Sequence, residues 1–146
     1  MKNLYFFLAI TIMTALSASC HAQKMMTNIN DAKKLEDNKK QFVGKPLSNL
    51  LKEIGPSIKY YFGNPDNRGE SIVGTNFKFY FISKSDYEKT NKKIKHPISI
   101  GVSFMIEPNN KRKPVPIGGT EEAWTEKETK EYGDMIIINV WVSGKD

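Results

Sequence analysis

Apolar and polar positions change their period twice along this 146-residue chain. Leu4 to Met13 is apolar except at Thr11, with Lys2 ahead of it. Between Asp31 and Ile54 apolar residues recur every three or four positions, and from Ser57 onward they recur every second. In order, these patterns signal export, helices and strands. The opening run is too short to span a bilayer, which takes about 20 residues. It also lacks the polar residues at helical spacing that a surface helix docked on a core would show.

The helical stretch divides in two. Asp31 to Val43 is expected to be a helix with Asn30 as N-cap and Ala32, Leu35, Phe42 and Val43 as its apolar face. Gly44 is its stop. In "GKPLSNLLKEIGP", Pro46 suits a first helical position, and Leu47, Leu50, Leu51 and Ile54 recur at helical spacing. Gly55-Pro56 ends that second helix.

Four strands follow by alternation. Ser57 to Phe62 sets Ile58, Tyr60 and Phe62 against Lys59 and Tyr61. Thr75 to Ile82 sets Phe77, Phe79 and Phe81 against Lys78, Tyr80 and Ile82. The third places Ile98, Ile100, Val102, Phe104 and Ile106 opposite Ser99, Gly101, Ser103 and Met105. Met135 to Val142 is apolar on both faces except at Asn139, so it is expected to be central or covered. Ser85 with Glu88, and Thr125 with Glu128, form capping boxes of two further helices, the second stopping at Gly133. The order predicts an α+β domain. Two N-terminal helices pack on a mainly antiparallel four-stranded sheet, with a further short helix before the last strand. Residues 1–19 are expected to be a signal peptide, 20–30 a tether, and 31–146 the single domain.

The segment Gly44 to Pro56, a glycine, a short turn, a helix with Leu50 and Ile54 on its apolar side, then Gly55, resembles part of the SmpA/OmlA-type outer-membrane lipoproteins. Those are small exported lipoproteins with two helices before a three-stranded meander, a BLIP-like fold. The resemblance rests on core and helix-stop residues, so it implies an architecture and an envelope setting, and no chemistry. This chain departs from that family in its fourth strand and in its lipidation signal.

That signal is "SASCHAQK", which is similar to the signal ends of exported proteins from Bacteroidetes-type bacteria. It holds the only cysteine, Cys20. Cleavage before Cys20 would leave its sulfur to carry lipid, with the small residues Ser17, Ala18 and Ser19 ahead of it. Leu16 stands one place further from the cysteine than usual. Cleavage before Gln23 is the other possibility. An unpaired thiol is disfavoured in an oxidising compartment, and lipidation of Cys20 is the expectation carried forward. With no pair of cysteines, the domain depends on packing alone.

Charge adds an asymmetry. The net charge is +6; Lys24 to Lys113 holds 18 basic and 9 acidic residues, and Pro114 to the end 3 and 7. A solvated lysine-rich surface explains this as readily as an anionic partner. The clusters Lys89, Lys92, Lys93, Lys95 and Lys111, Arg112, Lys113 are separated by a strand of about 30 Å. They form no single stripe, and nucleic acid is not an expected partner.

Candidate chemistry is sparse. His21 lies at the processing site and His96 stands alone before Pro97. There is no G-x-S-x-G elbow and no zinc-ligand spacing. In "NPDNRGE", Arg68 occupies a calcium-ligand position and Thr75 stands where the bidentate glutamate belongs. No cofactor, metal or catalytic residue is therefore expected. Glu121, Glu122, Glu126, Glu128, Glu131 and Asp134 could supply an acid/base pair only if their environments differ sharply.

The expected function is that of a lipid-anchored, non-enzymatic binding or assembly module of the cell envelope, its partner an envelope protein or a glycan. The alternative is an envelope hydrolase or transferase using carboxylates of the 121–134 segment. The partner is expected on the sheet face opposite the helices, at Tyr61, Tyr80 and Trp141, with Lys111, Arg112 and Lys113 in the loop 107–123 at its edge.

Overall fold

The computed structural model describes residues 23–65, 74–91, 96–105 and 122–144. Cys20 and the segment before it, the calcium-like loop around Asp66, and Lys111, Arg112, Lys113 and Glu121 lie outside the described residues. The domain is α+β as its patterning predicts. Helices α1 (Ala32–Asp37) and α2 (Leu47–Glu53) precede strands β1 (Tyr60–Pro65) and β2 (Gly74–Tyr80). Helix α3 (Lys84–Asn91), β3 (Ser99–Phe104), β4 (Glu122–Ala123), α4 (Glu126–Tyr132) and β5 (Ile137–Ser143) complete it. The antiparallel sheet runs β4-β1-β2-β3-β5, so a two-residue fifth strand joins the four expected.

One face of the sheet carries Phe77, Phe79, Ile100, Val102, Phe104 and Val140, all buried. Ala32 and Leu35 of α1 and Leu47 and Leu50 of α2 close over them in one apolar cluster with Tyr132 of α4. The expected first helix is shorter than its apolar spacing suggested. Asn38 turns its amide back to the carbonyl of Lys34 at 2.8 Å, and the chain continues as a 3₁₀ turn, Lys39–Gln41. Side-chain competition for backbone groups of this kind is how asparagine ends helices. Gly44 then takes φ +77°, a left-handed conformation that glycine adopts without strain. Its N–H donates to Ile137 O at 2.8 Å, tying the turn to β5.

Residues 24–30, expected as a tether, are docked instead. Met26 is fully buried and bridges Ile54 in parallel. Its N–H donates to Glu53 O at 3.0 Å, and Gly55 N–H donates to Met26 O at 2.7 Å. A capping box of Asn28 and Asp31 starts a 3₁₀ turn, Ile29–Asp31, just before α1. Lys34 is paired with Asp31 at 2.6 Å, and together with Thr27 it holds the Asp31 carboxyl well below the usual range.

Three local expectations are corrected. Strand β5 lies at the sheet edge, and it reads as apolar on both faces because an irregularity in its pairing with β3 leaves Ile138 exposed. Helix α3 is capped by Ser83, whose hydroxyl accepts from Asp86 N–H at 3.2 Å, one turn's start before the expected Ser85. Strand β1 begins at Tyr60 rather than Ser57, and this last shift changes the sheet's second face.

Candidate functional site

Antiparallel pairing fixes which side chains share a face. Phe62, Lys78, Gly101 and Trp141 stand in one row across β1, β2, β3 and β5. Asn76, Ser103 and Asn139 occupy the next row, and Tyr60, Tyr80, Ser99 and Ser143 the row on the other side. These alternate with the core residues, so they form the face turned away from α1, α2 and α4.

The expected partner residues separate. Tyr61 pairs with Phe79 and is 1% exposed. Its ring meets Phe77 at 5.2 Å and Trp124 at 5.1 Å, both edge to face. It is a core residue, and its placement on the partner face is corrected. Three consecutive aromatics, Tyr60-Tyr61-Phe62, fit either phase of a strand. Ile58 pointed to the wrong one because it lies before the ladder begins.

Tyr80 is on the expected face but is 5% exposed. It stacks on Tyr60 with ring centres 4.8 Å apart, and Tyr87 of α3 meets it edge-on at 5.3 Å. Helix α3 thus caps one end of the face, and Tyr80 is part of that cap rather than an open contact. Trp141 is half-buried on the expected face.

Among the described residues, the part of the face left uncovered is its centre. Phe62, Asn76, Phe77, Lys78 and Trp141 line a shallow hollow of about 380 Å³. Its shape depends on a glycine. A Cβ on Gly101 would sit 2.0 Å from Cε2 and 2.5 Å from Nε1 of Trp141, so the indole lies directly against the bare backbone of β3. The polar wall is a hydroxyl–amide pair, Ser103 Oγ donating to Asn76 Oδ1 at 2.5 Å. At the edge, Lys39 Nζ donates to Asn139 Oδ1 at 3.3 Å. The described strand residues of this face include no carboxylate, while Lys78 brings an ammonium to the hollow. Phe62 and Asn76 are not singled out by the sequence, whereas alternation places Lys78 on this face. A correct register for β1 would have brought Phe62 beside Lys78.

The acidic segment is organised differently. Thr125 and Glu128 form the predicted capping box of α4. Glu128 is buried, and it accepts from the Thr125 hydroxyl and from Thr125 N–H, the latter at 2.9 Å. Burial works to raise its pKa, but these hydrogen bonds prevail and lower it. A general acid needs the opposite shift. Glu126 and Asp134 are exposed. Among the described residues, no group of three or more His, Cys, Asp or Glu is placed to hold a metal.

A pH dependence follows from the cap. The folded state holds the Glu128 proton less tightly than the unfolded chain, so stability falls as pH drops through the carboxylate range. Thr125→Ala should cost about 1 kcal/mol at neutral pH, and less at acidic pH, where the carboxyl is already protonated. Urea titrations at both pH values measure this, and an equal loss at each would refute the cap's charge.

A second concavity, of about 650 Å³, lies on the helical side between α2 and α4, where Leu51, Pro56 and Trp124 line it. The two tryptophans of the chain therefore mark opposite sides of the sheet. Comparison with family models, with curated proteins and with solved structures finds no match for this chain.

Proposed function

We propose that this protein is a lipid-anchored, non-enzymatic binding module of the cell envelope, and that it receives its partner on the open centre of the second sheet face. The observation that carries this reading is the hollow between Phe62 and Trp141. Two half-buried rings and a lysine surround it, and among the described residues α3 covers the Tyr60–Tyr80 end of the face and not this hollow. Small concave sites with apolar walls and a few polar groups are the usual form of a ligand site. The acid/base alternative draws no support from Glu128, whose carboxylate is engaged as a helix cap.

The docked N-terminus supports a close anchor. Cys20 lies six residues before Met26, which is buried in the domain. At 3.3–3.6 Å per residue that interval reaches at most about 20 Å. A lipid on Cys20 would hold the domain close to the membrane surface. Among the described residues, no helix is long and apolar enough to cross a membrane. Intact-mass measurement on protein extracted from host membranes should show an acylated N-terminal Cys20. Protein beginning at Gln23 would remove the anchor from the proposal.

The face is tested by Phe62→Ser combined with Trp141→Ser in the host-processed protein. Retention of the envelope ligand on immobilised protein should be lost, with circular dichroism showing the fold intact. Undiminished retention by the folded variant would put the site elsewhere.

A further inference from the structure

We infer that the hollow on the second sheet face binds an acidic saccharide, a pyranose ring bearing a carboxylate. This inference rests on the reading of that face as the binding surface and adds the chemistry of its ligand. Volume is the first argument. About 380 Å³ falls within the range of small-ligand sites, roughly 300–1,000 Å³. The walls are the second. The Trp141 indole packs against Gly101 and lines the hollow, with Phe62 in the same row. An aromatic face of this kind packs against the C–H side of a sugar ring, which is apolar although the ring's edge is polar.

The polar groups are the third. Asn76 and Ser103 stand in the adjacent row, where an amide and a hydroxyl can exchange hydrogen bonds with ring hydroxyls. Lys78 lies between the aromatic walls in the sheet's central strands. With no carboxylate on the described strand residues of the face or in the lining of the hollow, its ammonium has its complement in an anionic ligand. A carboxylate on the sugar supplies that charge, and the pair is of the stronger, charge-assisted kind. A neutral sugar would leave Lys78 unused, and an acidic peptide would leave the aromatic walls without a ring to stack.

The two tryptophans make the test direct. Host-processed protein carrying ¹⁵N-labelled tryptophan gives one indole N–H signal from Trp141 in the hollow and one from Trp124 on the opposite side. Trigalacturonic acid, its fully methyl-esterified form and a hexaglutamate peptide are the probes. Trigalacturonic acid should shift the Trp141 signal and leave Trp124 in place. Lys78→Met should weaken that binding about tenfold, the loss of one charge-assisted bond. It should leave binding of the ester unchanged, with Lys78→Gln as a second variant should the first fold poorly. Three results would overturn the inference: no response of Trp141 to either saccharide, equal binding of the acid by the Lys78 variants and the parent, or a response to hexaglutamate alone. The last would retain the face as a docking surface and replace only the ligand class.

Discussion

Tyr61→Ala is expected to remove about 3–5 kcal/mol of folding stability, whereas Phe62→Ala, one residue on, should cost well under half as much. Tyr61 is 1% exposed and packed edge-on against Phe77 and Trp124. Removing its ring would open a cavity in the centre of the core, where neighbours relax only partly. Phe62 is half-buried on the other face and touches Tyr60 and Tyr80 through ring edges at 5.6 Å and 5.5 Å. Its loss uncovers surface without hollowing the interior. Urea titration of both variants reads the difference. A larger loss for Phe62→Ala would reverse the assignment of faces and remove the hollow from consideration.

This contrast also shows where sequence patterning stops being informative. The β2 and β3 alternations were legible because apolar and polar residues differ in kind: Phe77 and Phe79 flank Lys78, and Ile100 and Val102 flank Gly101. Both series are buried as expected. In β1 every position from Tyr60 to Phe62 is aromatic, so period alone cannot choose a face, and a slip of one residue turns all of them over. The pairing of Tyr60 with Tyr80 settles it, and that is a long-range contact. Met26 was illegible for a similar reason. Apart from Met25 its neighbours are polar, with no periodic apolar pattern around it, and its burial depends on a bridge to Ile54, far along the chain. The capping box at Thr125 was readable because both partners lie within one helical turn. Trp141 was found on its face by alternation, but its closeness to Gly101 depends on the β3–β5 register.

Leu50→Ala is the other substitution with a large expected effect, about 2–5 kcal/mol. Leu50 is fully buried on α2, a helix of only seven residues from Leu47 to Glu53. So short a helix is not stable by itself, and its apolar face must be held by the sheet. That dependence runs both ways. Leu47 N–H donates to Met135 O at 2.9 Å and Ser48 N–H to Gly133 O at 2.7 Å, so α2 is also stitched to the turn between α4 and β5. Loosening it is therefore expected to lower the cooperativity of the turn as well as the core. Hydrogen exchange should show faster exchange at Leu47 and Ser48 in the variant. A denaturant loss below about 0.5 kcal/mol would place Leu50 outside the core that its helical spacing and burial assign to it.

The central claim, that the open sheet face is where this protein meets its envelope ligand, comes down to two indole signals. They are recorded from the host-processed, ¹⁵N-tryptophan-labelled protein before and after addition of detergent-solubilised host envelope. Trp141 is expected to shift or broaden while Trp124 holds its position. A change at Trp124 with Trp141 unmoved would place the ligand in the groove between α2 and α4 and contradict the assignment of the face.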